Sequence, residues 1–140
     1  MNYIDLGLSV KWANCNIDAN NPDEYGTYFN FDESLNINNI PTKEQWEELQ
    51  KNCKFSFDKK RNGIIATGTN GNTIFLPFAC EENGRYDERK PGAFFWASTE
   101  FDNDYAWYAY FSKPVYSKKL DIGIAWIDKQ INKISLRTLE

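Results

Sequence analysis

The chain has 140 residues, near the commonest single-domain size, and its 41% hydrophobic and 16% aromatic content supplies one core without disulfide staples. A net charge of −4 repels a phosphate backbone and argues against general nucleic-acid binding, and no apolar run approaches the ~18 residues that cross a bilayer. His is absent altogether, which removes the commonest general base, the Ser-His-Asp and Cys-His arrangements and most zinc and copper sites.

Residues Ser9 to Cys15 alternate around Val10, Trp12 and Asn14 and read as an early strand. Asn21-Pro22-Asp23-Glu24 offers an N-cap, a first-turn Pro and an acid, and Gly26 limits it to one helical turn. Tyr25 to Phe31 follows as an aromatic extended segment. The clearest helix begins at Thr42, in a T-x-x-Q capping box with Gln45. Trp46, Leu49 and Cys53 form its apolar face, and it ends near Asn52. Ile64–Thr67 and Thr73–Leu76 flank Gly68-Thr69-Asn70-Gly71-Asn72, a hairpin signal. Phe78 to Gly92 is polar and charged and reads as a long surface excursion. Five β-rich segments follow, Phe94–Thr99, Tyr105–Phe111, Pro114–Lys118, Ile122–Ile127 and Lys133–Thr138, separated by Asp, Asn or Lys turns. One main helix, a short helical turn and an antiparallel C-terminal sheet define an α+β fold in a single domain, residues 1–140.

The chemistry available is narrow. Cys15, Cys53 and Cys80 are odd in number and widely spaced, fitting three small buried hydrophobes or one bridge, Cys15–Cys53 or Cys53–Cys80. No C-x-x-C, phosphate-loop or dinucleotide motif occurs, so no cofactor is expected. Carboxylates such as Asp87, Glu88, Glu100 and Asp102 are the only available acid/base pairs. Glu100, Asp102, Asn103 and Asp104 are oxygen-rich enough for a hard cation but lack EF-hand spacing and equally make a solvated turn. Lys51, Lys54, Lys59, Lys60 and Arg61 cluster as a solvated basic patch. The first residues, Met1-Asn2-Tyr3-Ile4-Asp5, show no signal peptide.

The positive signal is aromatic. If Tyr105, Trp107, Ala109 and Phe111 face the core, strand alternation turns Tyr108 and Tyr110 to the other face, where Tyr and Trp suit recognition of protein or sugar. A noncatalytic ligand surface of Tyr108, Tyr110, Tyr116, Lys118, Lys119, Asp121 and Trp126 is the resulting expectation, with a protein or glycan as partner and neither nucleic acid nor membrane insertion.

Several ordered runs resemble a known family. They are Asp5-Leu6-Gly7-Leu8-Ser9-Val10-Lys11-Trp12-Ala13-Asn14-Cys15-Asn16-Ile17, Pro22-Asp23-Glu24-Tyr25-Gly26-Thr27-Tyr28-Phe29, Pro41-Thr42-Lys43-Glu44-Gln45-Trp46-Glu47-Glu48-Leu49, Thr67-Gly68-Thr69-Asn70-Gly71-Asn72-Thr73-Ile74-Phe75-Leu76-Pro77 and Phe95-Trp96-Ala97-Ser98-Thr99. Together they resemble the Fibrobacter succinogenes major paralogous domain of Bacteroidetes. The resemblance implies a C-type-lectin-like fold, a cell-surface or secreted setting and ligand contacts from the C-terminal sheet at about residues 105–130. The chain departs from the family at Lys118–Asp128 and at Asn132–Leu139. Two other roles fit less of the sequence: an acidic immunity-type partner that neutralises a toxin, and an enzyme related to the formylglycine-generating fold, which needs a reactive Cys pair or a metal.

Overall fold

The computed structural model describes residues 2–80 and 91–140. Among them the chain is α+β: strands β1 (Tyr3–Ile4) and β2 (Trp12–Ala13), helices α1 (Phe31–Ser34) and α2 (Lys43–Asn52), then β3 (Lys54–Asp58), β4 (Gly63–Thr67), β5 (Thr73–Pro77), β6 (Gly92–Glu100), β7 (Tyr105–Ser112) and β8 (Asp121–Asp128). The strands form three antiparallel sheets, ordered β1-β2, β3-β4-β5 and β6-β7-β8.

α2 starts and stops where its sequence dictates. Thr42 Oγ1 accepts from the Gln45 amide at 3.2 Å while Gln45 Oε1 accepts from the Thr42 amide at 2.8 Å, closing the capping box. Its buried Trp46 tilts against Trp12 at 4.7 Å and stacks on Phe95 at 5.1 Å between centroids. That side chain ties helix, N-terminal segment and sheet together, so Trp46→Ala removes about 3–5 kcal/mol.

The three-stranded sheet β6-β7-β8 has a core on each face. Phe95, Ala97, Ala109 and Phe111 meet α2 and the β3-β4-β5 sheet; Trp96, Ala106 and the neighbouring Phe94 and Tyr108 meet Phe31, Ile40, Ile134 and Leu136. These are called the α2 face and the α1 face below.

The runs that carry the family resemblance dock on one another in pairs. In the first pair, Ser98 N donates to Pro41 O, Lys43 N to Thr99 Oγ1 and Trp46 Nε1 to Trp96 O, at 2.8, 3.0 and 3.3 Å. In the second, Asn70 and Asn72 both donate through Nδ2 to Asp5 O, at 2.8 and 2.9 Å. Gly68 lies so close there that a Cβ would stand 2.2 Å from Leu6 O. Gly71, at φ +86°, closes the intervening hairpin turn.

Arg137 is fully buried and ties the C-terminal segment to two others, Ala13–Asn16 and β5. It donates to Asn16 Oδ1 from Nε at 3.0 Å and Nη2 at 2.6 Å, to Ala13 O at 3.0 Å and to Phe75 O at 2.9 Å. Burial pushes its pKa down to about 9, so the guanidinium stays charged at neutral pH.

Several sequence expectations change. Of Ser9–Cys15 only Trp12–Ala13 is strand, because Ala13 N is drawn to Thr138 O at 3.0 Å by the C-terminal segment. Asn21–Glu24 is a turn, not helix: Asn21 Oδ1 accepts from the Asp23 amide at 3.0 Å, a local bond that competes with helix. The short helix lies at Phe31–Ser34 instead, under an Asn30/Glu33 capping box, so the extended run from Tyr25 stops before Phe31. β3 was hidden among lysines, yet Lys54–Asp58 puts Phe55 and Phe57 on its inner side. Pro114–Lys118 is a turn closed by Ser117 N to Pro114 O at 3.1 Å. Lys133–Thr138 makes no continuous ladder, because it bridges at Ile134 to Phe29 and at Ser135 to Phe95. Phe78, Ala79 and Cys80 are buried rather than part of a surface excursion; residues 81–90 of that excursion lie outside the described residues. All three cysteines are buried and unbridged.

Candidate functional site

The most exposed group of large aromatic side chains on the sheet is built by the β6–β7 turn. Asp102 Oδ1 accepts from the amides of Asp104 at 2.8 Å and Tyr105 at 2.9 Å, and Phe101 N donates to Tyr105 O at 2.9 Å. This tight turn folds Phe101 back onto β8. Its ring stacks on Trp126 at 4.4 Å and 6°, and meets Trp107 edge-on at 5.3 Å and 86°.

Trp107 and Trp126 are direct cross-strand partners on the α2 face, 5.2 Å apart and nearly perpendicular. α2 begins at Lys43, so this end of the face is left without a helical cover. Lys43 Nζ stands 4.8 Å from the Trp107 ring centre and 3.3 Å from Glu47 Oε1. Trp126 is 48% exposed, Phe101 45% and Tyr105 40%. Three interlocked rings thus present a compact, preorganised apolar knob, bordered by the charged first turn of α2 and the acidic turn.

The seven residues expected from sequence do not form one surface. Trp126 joins the cluster just described. Tyr108 and Tyr110 point to the α1 face and are half-buried: Tyr108 packs edge-on to Phe94 at 6.1 Å, and Tyr110 covers Gly123, where a Cβ would stand 2.5 Å from its hydroxyl. That corrects their expected exposure: α1, Phe29 and the C-terminal segment cover Tyr108, and Tyr110 packs between Tyr108 and Gly123. Asp121 starts β8 opposite Ser112, five residues from Trp126 and so about 17 Å away along the strand. Tyr116, 80% exposed, lies with the exposed Lys118 and Lys119 in the β7–β8 connection, at Asp121's end of the sheet. Tyr105 and Trp107, expected in the core, are exposed and half-buried instead.

Glu100 and Asp102, beside the cluster, have structural partners. Glu100 pairs with Lys129 Nζ at 3.2 Å, and that ammonium also donates to Asn103 O at 3.0 Å and sits 5.4 Å from the Phe31 ring centre. Among the described residues no three Cys, Asp or Glu converge as a metal site. Asp87 and Glu88 lie outside the described residues. Burial, then the charge of Glu48, pushes the Cys53 thiol above its ordinary range, away from the thiolate a nucleophile needs. Among the described residues no helix is long and apolar enough to cross a membrane. No protein-family model, curated protein or solved structure matches the chain.

Proposed function

We propose that the chain is a noncatalytic binding domain of C-type-lectin-like fold that recognises a protein or glycan ligand through the Phe101–Trp107–Trp126 cluster. The observation behind this reading is that Trp126, locked between two other rings, still exposes nearly half its surface. A side chain already ordered loses little entropy on binding, which is what an interface hot spot requires. Phe101 occupies one face of the Trp126 ring, so the cluster offers a knob for a protein pocket more readily than an open plate for a sugar ring. The fold assignment is supported by the sequence resemblance, whose runs supply the fully buried Leu6, Trp12, Trp46 and Trp96.

The test is retention of a ligand from envelope and cytosolic fractions by immobilised wild type and by Trp126→Ala, with near-UV circular dichroism as the folding control. Loss of a hot spot weakens binding by about 30-fold or more. Equal retention by a folded Trp126→Ala would move the site elsewhere, and retention of a glycan instead of a protein would reverse the preference between the two ligands.

A further inference from the structure

Arg61, in the turn between β3 and β4, folds back over the outer face of the β3-β4-β5 sheet. Ile64, Ala66, Ile74 and Leu76 belong to the core, so alternation turns Ile65 and its cross-strand partner Phe75 to the other side. There the Arg61 Cζ lies 3.8 Å from the centre of the Phe75 ring. Asp23 Oδ1 accepts from Arg61 Nε at 2.9 Å and from Nη2 at 2.6 Å. Gly63 leaves space for the ring, because a Cβ there would run into it, and Arg61 N donates to Asp58 Oδ1 at 3.1 Å, which fixes the turn. The guanidinium is thus held by a ring beneath it and a carboxylate beside it. Asp23 takes two of its five N–H donors, and no partner for the other three is found among the described residues.

Arg61 lines a cleft of about 230 Å³ between this sheet, β1 and the turn at Asn21–Glu24. Ile4, Pro22, Ile65 and Phe75 give the cleft apolar walls, and Asn14 and Thr73 add an amide and a hydroxyl. Asn14 Oδ1 accepts from Asn2 N at 3.3 Å, which leaves its Nδ2 as a further donor. Among the described residues that line the cleft, Arg61 alone is charged, and Asp23 stands outside the lining.

We propose that this cleft binds a small aliphatic carboxylate, with the carboxylate on Arg61 and the apolar chain against Ile4, Pro22 and Ile65. A guanidinium already stacked and paired loses little freedom on binding, and its planar donor edge matches a carboxylate. The apolar walls favour an anion that carries a hydrocarbon chain over a bare inorganic one. Size narrows the class further. At the ~30 Å³ that each water takes in the liquid, the cleft has room for about eight non-hydrogen atoms, which a branched six-carbon acid fills. The cleft shares no residue with the Phe101–Trp107–Trp126 cluster, so the two sites stand or fall separately.

The test is titration of the ¹⁵N-labelled chain with 4-methylpentanoate, followed by amide and Arg Nε–H chemical shifts. The expected result is saturable shifts at Arg61 Nε–H, Ile65 and Phe75 with a dissociation constant of about 1 mM. The uncharged 4-methylpentanamide, of the same shape, is expected to bind about tenfold more weakly or worse, and Arg61→Met, which keeps the stem over Phe75, is expected to lose as much. Acetyl-alanyl-leucine presents the same branched chain and carboxylate as the end of a peptide, and is expected to bind more weakly because its backbone exceeds the room. Absence of shifts at about 10 mM carboxylate, equal binding of the amide, or shifts centred on Trp126 would overturn the proposal. Peptide binding as tight as that of the free acid would overturn the small-molecule occupant. Should Arg61→Met not fold, the comparison of acid and amide on wild type decides.

Discussion

Arg137 is the position where removing one side chain most directly tests how the termini are held. Arg137→Met keeps chain length and apolar stem but withdraws every donor from Asn16 Oδ1, Ala13 O and Phe75 O. Three buried acceptors left unpaired cost about 1–3 kcal/mol each. Against that stands relief from burying a charge, the same effect that pushes the pKa down to about 9. With the two terms opposed, the expected net loss is about 2–4 kcal/mol, read by urea denaturation as a lower midpoint at unchanged slope. Adding Asn16→Leu removes the acceptor that takes two of the four bonds but also the Nδ2 donor to Tyr25 O at 3.0 Å, so the double variant should lie within about 1 kcal/mol of Arg137→Met alone. A stability for Arg137→Met within 0.5 kcal/mol of wild type would refute the view that these bonds outweigh the buried charge.

Three further outcomes follow from the same geometry. The Arg137 pKa is lowered in the folded chain, so the unfolded state binds more protons from about 9 up to the ordinary guanidinium range, and stability rises with pH across that window. The stability of wild type relative to Arg137→Met, measured at pH 7 and pH 10.5, should therefore shift in favour of wild type at the higher pH; a gap that narrows would contradict the sign. Gly68→Ala forces a methyl to 2.2 Å from Leu6 O and must displace backbone, at a cost of about 2 kcal/mol or more in thermal or urea unfolding. Thr42→Ala deletes the acceptor for the Gln45 amide and should cost about 1 kcal/mol, with amide exchange accelerating first at Gln45.

The parts of the fold legible in the sequence are those decided by neighbours along the chain. Thr42 and Gln45 close a capping box within three residues, and Asn70-Gly71 closes its hairpin within five, so each element stands as expected. Elements decided by distant partners were not legible. Lys133–Thr138 has strand composition, but Phe29 and Phe95 each take one of its residues and prevent a ladder. β3 failed for the opposite reason: its two phenylalanines alternate correctly, but four lysines and an arginine around them read as a solvated patch.

The same distinction explains the candidate site. β7 is a central strand covered on both faces, so aromatic or small apolar side chains occupy nearly all its positions and alternation cannot say which face meets solvent. Exposure is settled instead by where the covering elements end. α1 and the C-terminal segment reach Tyr108, while α2 starts too late to cover Trp107 and Trp126. The ring that completes the cluster, Phe101, arrives through a turn fixed by one Asp102 oxygen, a bond between residues two and three apart. A short acidic turn beside an aromatic residue was therefore the available signal: the work of the Asp102 carboxylate is to aim Phe101 at Trp126.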